Sequence, residues 1–236
     1  MKMFCLVHAG GFAMRYDAMA DMMAKKSNDG ITLIALEYAG RGKKYGQPFY
    51  STFDELVHSM SEEIAGMLGP SEPYCLFGHS MGAYAAIETA YQMQKVHHNA
   101  PVMTILSGAA SPYVAAKQKV GMSNEEMIAY LRDIGGTEEN VLKNRIFETE
   151  LLPILQADLD TLRTYRFAHE GELLPSYIVA TYGQEDPAYR IGQVEDWKTA
   201  VGTDVVMQTF PGDHFYFEKD LDAYTDFLCE QYRKAL

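Results

Sequence analysis

Residues 74–83, which read YCLFGHSMGA, constrain the fold of this chain more than any other stretch. An apolar run leads to Gly78, Ser80 follows two residues later, and Gly82 lies at the start of a long Ala-rich segment that favours a helix. This pattern is typical of a nucleophile elbow, in which a serine occupies a strained turn between a strand and a helix. Glycines are needed on either side because the strand and the helix approach too closely for larger side chains. The stretch therefore predicts that Ser80 is presented outward as a nucleophile.

Apolar runs suited to buried strands alternate with helical patterns along most of the chain. Strands alternating with helices predict an α/β fold, with a mostly parallel sheet, helices on both faces and ligands bound at the carboxyl ends of the strands. A length of 236 residues suits a single domain over 1–236. Strands are predicted over 2–7, 31–36, 75–77, 102–107, 177–182 and 205–210, and helices over 14–26, 54–68, 81–93, 194–201 and 218–234.

One long segment interrupts this alternation, because no strand pattern is found from about 108 to 171. Ser123 and Glu126 form a helix-starting pattern, and Gly135-Gly136 ends that helix. Helical spacing then continues from 137 to about 167, with an interruption near Pro153. We interpret 112–169 as a helical lid inserted beside the active site, the alternative being a plain structural insertion.

Composition excludes several classes of protein. The net charge of −12 argues against nucleic acid as a general partner. Neither an apolar stretch of about 18 residues nor a signal peptide is found, so we expect a soluble, cytoplasmic protein that is not bound to membranes. The three cysteines lack metal-ligand spacing, and we predict reduced thiols, no metal and no cofactor. Two small basic groups, at 41–44 and at 117–119, suit either solvated loops or local patches.

A serine nucleophile needs a base that takes its proton and an acid that orients the base. Behind an elbow of this type the chain order is serine, then Asp or Glu, then His. Among seven histidines, only His214 follows the strand that ends near Gly183, and it lies just beyond another strand. We predict His214 as the base and Asp186 as the acid. Glu185 stays open as an alternative, since sequence cannot determine which carboxylate points inward.

An oxyanion formed at the reacting carbonyl needs two backbone donors. The N–H of Met81, directly after the nucleophile, is one candidate. The N–H of Ala9 is the other, because it follows the first strand and the adjacent glycines allow a close backbone approach. His8 is then expected to shape this loop by hydrogen bonding, and His79 to pack at the elbow.

Several separated stretches together resemble one family, the type II thioesterases that accompany modular polyketide and nonribosomal peptide synthetases. The resemblance covers nearly the whole chain, including the predicted lid, which makes it more specific than the elbow alone. The matching stretches are LVHAGG at 6–11, GRG at 40–42, GHSMG at 78–82, SNEE at 123–126, LRDIGGT at 131–137, LLPILQAD at 151–158, GQEDP at 183–187 and FPGDHF at 210–215.

This resemblance implies an α/β-hydrolase that releases acyl groups from the phosphopantetheine thiol of carrier proteins and so clears stalled or misprimed synthases. By position, it implies Ser80 as nucleophile, Asp186 as acid and His214 as base, with Ala9 and Met81 as oxyanion donors. The sequence departs from the family pattern twice: Glu185 stands where an aspartate is common, and Asp213 stands where a glycine usually precedes the histidine.

The expected partner is an acyl- or peptidyl-carrier protein, and we expect the enzyme to act as a monomer. Because carrier proteins are usually acidic, docking requires a local basic rim, for which Arg15, Arg41, Lys43 and Lys44 are the candidates. Two alternatives remain open from the sequence. One is a thioesterase or esterase that acts on acyl-CoA, fatty acyl carriers or small esters, and the other is a non-catalytic binding protein with a hydrolase fold.

Overall fold

Six parallel strands form the centre of the computed structural model, which describes residues 1–26, 30–115, 122–186 and 196–236. Every side chain of β3 and β4 is buried, as expected for a sheet covered on both faces. All five strand pairs are parallel, which confirms the predicted fold class. The strands are β1 (Lys2–Leu6), β2 (Thr32–Leu36), β3 (Tyr74–His79), β4 (Met103–Ser107), β5 (Tyr177–Gly183) and β6 (Val205–Phe210).

Helices connect these strands and also form the segment between β4 and β5. Short 3-10 turns lie at Ala13–Tyr16 and Gly42–Lys44. The helices are α1 (Asp17–Lys26), α2 (Phe53–Met67), α3 (Met81–His97), α4 (Pro112–Ala115), α5 (Asn124–Ile134), α6 (Glu139–Leu142), α7 (Leu152–Arg163), α8 (Asp196–Val201), α9 (Tyr216–Lys219) and α10 (Leu221–Ala235).

The strand order is β2-β1-β3-β4-β5-β6, so the direction of the crossovers reverses between β1 and β3. Because such crossovers are right-handed, α1 covers one face of the sheet while α2 and α3 cover the other. Consistent with this, α1 packs against α10, and α2 packs against α3. The reversal leaves a crevice at the carboxyl ends of β1 and β3, which is where α/β sheets bind ligands.

Between β4 and β5 the described ranges contain the inserted helices, α4 to α7, and a π-helical turn, but no strand. Five buried side chains from α5, α6, α7 and the turn before α7 form a hydrophobic cluster separate from the main core. The cluster also contacts Ala9, which lies in the loop after β1. The five are Met127, Leu142, Phe147, Leu152 and Leu155.

The helical structure predicted over 137–167 is interrupted near Pro153 as expected, but it is shorter and more divided than the spacing indicated. It consists of the short α6, a π-helical turn at Phe147–Leu151, and α7, which ends at Arg163. Pro153 lies in the first turn of α7. Proline has no N–H to donate to the preceding turn, so it suits the start of a helix. The π-helical turn before it has a wider backbone than an α-helix.

Most other predicted bounds differ only at element ends, with one exception. The terminal helix is divided at Asp220, whose side chain accepts a hydrogen bond from the Ala223 N–H and caps α10. Outside the described residues lie Asn28 and Asp29, which together with Gly30 predict a turn before β2, the basic pair Lys117 and Lys119, and the start of the helix predicted at 194. No helix within the described ranges combines the length and apolar character needed to cross a bilayer.

Candidate active site

Ser80 lies in the sharp turn between β3 and α3. Its φ of 56° and ψ of −120° belong to a region that residues with a side chain rarely adopt, at a cost of about 1–3 kcal/mol. Two backbone hydrogen bonds hold the turn: the Ser80 N–H donates to the Ser107 carbonyl at 2.8 Å, and the Ala83 N–H donates to the Ser80 carbonyl at 2.9 Å. Ser80 therefore stands at the carboxyl end of β3 in a strained conformation held by its neighbours.

Close backbone contacts explain why glycine is required at both positions that flank Ser80. A Cβ atom at Gly78 would lie 1.9 Å from the carbonyl oxygen of Gly82. A Cβ atom at Gly82 would lie 2.1 Å from the carbonyl oxygen of Leu6 in β1. Both obstacles are backbone atoms, which cannot rotate away, so the elbow requires glycine at both positions.

Replacing Gly78 by alanine is expected to destabilise the fold by about 3 kcal/mol, because the new methyl group meets immobile backbone. Gly66 in α2 provides the matched control, since a Cβ there has no atom within 4 Å. Gly66→Ala should raise stability by about 0.5–1 kcal/mol through its helix propensity. Urea unfolding measures both changes, and a Gly78→Ala protein as stable as the wild type would contradict this account of the elbow.

His214 and Asp186 meet at the carboxyl ends of β5 and β6. The Nδ1 atom of His214 lies 2.9 Å from Oδ2 of Asp186, and both side chains are buried. Nε2 of His214 is also buried and has no hydrogen-bond partner among the described residues, Ser80 included. Glu185, the alternative acid, is exposed. The structure thus brings Asp186, and not Glu185, to the imidazole.

Backbone hydrogen bonds beyond the strand ends hold these two loops together. The Gln184 N–H donates to Phe210, and the Glu185 N–H donates to Gly212. The Asp213 carboxylate accepts from the Phe215 N–H at 3.0 Å and pairs with Lys219 at 3.1 Å. Asp213, whose role the sequence left open, therefore stabilises the histidine loop.

Two further histidines surround the site. Nδ1 of His79 lies 2.9 Å from the Ser107 hydroxyl, and its ring centre lies 4.7 Å from that of His214. Nδ1 of His8 lies 2.9 Å from the Tyr16 hydroxyl. Burial lowers the pKa of both rings well below the usual value, and the nearby His214 lowers it further. Both imidazoles are therefore neutral at neutral pH and act as packing and hydrogen-bonding groups.

The loop after β1 brings backbone groups to the same crevice. A tight turn, in which the Gly11 N–H donates to the His8 carbonyl at 2.9 Å, places Ala9 at its centre. The Ala9 N–H makes no hydrogen bond within the described residues. Met81 starts α3, and the first N–H groups of a helix have no partner inside the helix. Both predicted oxyanion donors are thus adjacent to the crevice.

A cavity of about 380 Å³ lies at this crevice. Ser80, His214 and Ala9 line it from the sheet side. The inserted helices complete the wall with mainly apolar side chains, as is typical of a pocket for an apolar ligand. These include Leu131, Ile134, Phe147, Leu151 and Leu155.

The prediction that Arg41 belongs to an exposed basic rim is wrong. Its side chain is 1% exposed and forms an ion pair with Asp158 of α7. Sequence reasoning missed Asp158, although a signal was present: an acidic residue on the apolar side of a helical pattern, between Leu155 and Leu162. Of the other candidates, Lys44 pairs with Glu63.

The parallel sheet, with a strained serine between β3 and α3 and an Asp-His pair at the ends of β5 and β6, defines the α/β-hydrolase class. A family model described as "Thioesterase domain" matches residues 1–236. The chain belongs to this thioesterase family, and it is a hydrolase that acts on thioesters.

Relatives agree with this assignment. The gramicidin S biosynthesis protein GrsT of Aneurinibacillus migulanus is 27% identical, over 100% of this chain and 90% of that protein. The medium-chain S-acyl fatty acid synthase thioesterase of Rattus norvegicus is 26% identical, over 92% of this chain and 82% of that protein. The type II thioesterase BorB from the borrelidin biosynthetic cluster superposes with a TM-score of 0.82 at 28% identity, covering 98% of this chain and 91% of BorB. The predicted resemblance is thereby confirmed.

Proposed function

We propose that this enzyme is an editing thioesterase that hydrolyses aberrant or stalled acyl groups from the phosphopantetheinyl carrier proteins of a polyketide or nonribosomal peptide synthetase. Ser80, His214 and Asp186 form its catalytic triad, and the N–H groups of Ala9 and Met81 form its oxyanion hole. The observation that carries the proposal is the buried, unpartnered Nε2 of His214, a residue that lines the same cavity as the strained Ser80. That nitrogen is the atom that a serine proton requires.

The reaction runs in two halves. His214 Nε2 takes the proton of Ser80 as its Oγ attacks the thioester carbonyl carbon, and the resulting oxyanion accepts hydrogen bonds from Ala9 and Met81. The carbon–sulfur bond breaks, and the leaving thiolate takes the proton from His214. Water then gives a proton to His214 and attacks the acyl-enzyme, which releases the acid and restores Ser80. Asp186 stabilises the imidazolium in both halves.

The inserted helices act as the lid of this site, within one domain that spans the chain. Two contacts support this role. A Cβ atom at Gly136, in the loop between α5 and α6, would lie 2.1 Å from the Phe215 ring beside His214. The Arg15 guanidinium donates to the Gly136 carbonyl at 3.2 Å and also pairs with Glu218 of α9. The insertion therefore touches the histidine loop directly.

A second candidate function is release of medium-length fatty acyl chains from a fatty acid synthase carrier or from coenzyme A. The similarity to the rat medium-chain thioesterase favours it, together with the apolar cavity wall. The chemistry at Ser80 is the same in both candidates, so they differ only in the carrier and in the acyl group.

The two candidates can be distinguished by measuring the hydrolysis of one acyl group attached to three different leaving groups. We expect kcat/KM to be at least about tenfold higher for acyl-carrier protein than for the matching acyl-CoA or p-nitrophenyl ester, since remote binding energy lowers the barrier for the full substrate. Ser80→Ala enzyme provides the blank for each substrate. Equal kcat/KM for carrier and coenzyme A would contradict the editing proposal and leave the second candidate.

A further inference from the structure

A buried ion pair connects the inserted helices to the loop after β1. Asp158 of α7 binds both arms of the Arg41 guanidinium, with Nη1 at 2.6 Å from Oδ2 and Nη2 bound to Oδ1. Their side chains are 1% and 5% exposed. Two charges removed from water in this way need close pairing and further hydrogen bonds, so the geometry of the pair is tightly determined.

The remaining hydrogen bonds of this pair go to the backbone of the turn at 8–11. The Gly10 N–H donates to Oδ2 of Asp158 at 2.7 Å, and Nη1 of Arg41 donates to the Gly11 carbonyl at 3.0 Å. Charged side chains thus hold two consecutive residues, Gly10 through its N–H and Gly11 through its carbonyl oxygen. Ala9, immediately before them, keeps an N–H without a partner in the described part of the chain.

An apolar contact accompanies these polar ones. Leu155 lies three residues before Asp158, so the two side chains lie on the same side of α7. A Cβ atom at Gly10 would lie 3.3 Å from the Leu155 Cβ, which shows how closely the helix approaches the loop. Leu155 also lines the cavity. The helix that bounds the acyl-binding cavity is therefore also the helix that holds the loop.

We propose that Asp158 and Arg41 are positioning residues that hold the turn at 8–11 so that the Ala9 N–H points at the reacting carbonyl oxygen. This inference rests on the proposed function, in which Ala9 is an oxyanion donor. It makes the geometry of the oxyanion hole depend on the docking of α7, and it assigns a catalytic consequence to a pair that contacts no substrate.

The first test is the double variant Arg41→Met/Asp158→Leu, which replaces the ion pair by apolar side chains and leaves no unpaired buried charge. We expect kcat to fall about 10²-fold with KM within about twofold of the wild type, because displacing a donor by even 1 Å has an effect of that size. Arg41→Gln/Asp158→Asn keeps a donor for Gly11 and an acceptor for Gly10, and it should recover most of kcat. Lys2→Met/Glu72→Leu removes an ion pair at the start of β1, outside the cavity lining, and as the matched control it should leave kcat unchanged.

A second variant tests the same inference if Arg41→Met/Asp158→Leu does not fold. Arg41→Lys keeps the opposite charges, but a single ammonium cannot reproduce the two-armed geometry that also reaches Gly11. We expect kcat to be about tenfold lower, with KM unchanged.

Two inhibitors distinguish positioning from general structural damage. A trifluoromethyl ketone forms an adduct with Ser80 whose oxyanion occupies the hole, so its affinity should fall by the same factor as kcat/KM. A thioether analogue, in which a methylene replaces the carbonyl, reports only on cavity binding and should keep its affinity. Equal weakening of both ligands, or wild-type kcat in folded Arg41→Met/Asp158→Leu, would overturn the proposal.

The same reagents separate this inference from the proposed function. If a fluorophosphonate labels Ser80 of the wild type while the variants turn over normally, only the positioning role fails. If the wild type is neither labelled nor inhibited, the assignment of Ser80 itself fails, and the positioning role fails with it.

Discussion

Ser80→Ala is expected to lower thioester hydrolysis by about 10³–10⁶-fold. Without the hydroxyl no acyl-enzyme forms, and the imidazole of His214 has no nucleophile to activate. The oxyanion donors and the cavity remain, so some acceleration over water persists. Steady-state hydrolysis of an acyl-carrier substrate, followed by release of the free thiol, measures the loss.

Ser61→Ala is the matched control, because Ser61 is a buried serine of α2 whose hydroxyl bonds the His58 carbonyl. It should retain wild-type turnover. A fluorophosphonate probe should label the wild type and Ser61→Ala equally and should leave Ser80→Ala unlabelled. Turnover of Ser80→Ala at the wild-type rate would remove Ser80 from the mechanism.

Asp186→Asn is expected to lower kcat by about 10⁴-fold with little change in KM. An asparagine amide at 2.9 Å from Nδ1 can donate to that nitrogen, and the proton would then sit on Nε2, where Ser80 needs an acceptor. The neutral amide also leaves the imidazolium without a countercharge. Initial rates over a series of substrate concentrations separate kcat from KM.

Glu185→Gln makes the matched comparison at the neighbouring carboxylate. Glu185 is exposed and reaches Gly212 through its backbone N–H, so this variant should keep wild-type kcat. Circular dichroism at room temperature controls for folding, since Asp186 is buried. The acid would have to be reassigned if Glu185→Gln lost as much activity as Asp186→Asn.

The local parts of the fold follow from short patterns in the sequence. Apolar runs placed all six strands within a few residues, most clearly the central ones, since burial on both faces of a parallel sheet demands continuous apolar character. Glycine spacing placed the elbow, because α3 lies too close to β3 at Gly78 and too close to β1 at Gly82 for any side chain. The apolar runs and the contact between Gly78 and Gly82 involve residues that are near one another in the chain, so the sequence alone indicates them.

The inserted helices were predicted less well. Helical periodicity continues through 137–167, but the chain there forms α6, a wide turn and α7. These breaks follow from packing in the cluster around Phe147 and Leu155, and from the proline at the start of α7. Tertiary contacts override local propensity wherever a short helix must bend over a cavity.

By itself, the sequence determined the fold class, the serine at the elbow and, through chain order, the histidine proposed as its base. It left open which of two adjacent carboxylates meets His214, and it suggested that Arg41 faces solvent. Only the tertiary structure decided these points: it buries Asp186 against the imidazole and Arg41 against Asp158, 117 residues away in the chain. The direction in which a loop side chain points depends on which distant segment packs over that loop. The neighbouring residues in the sequence do not reveal which segment this is.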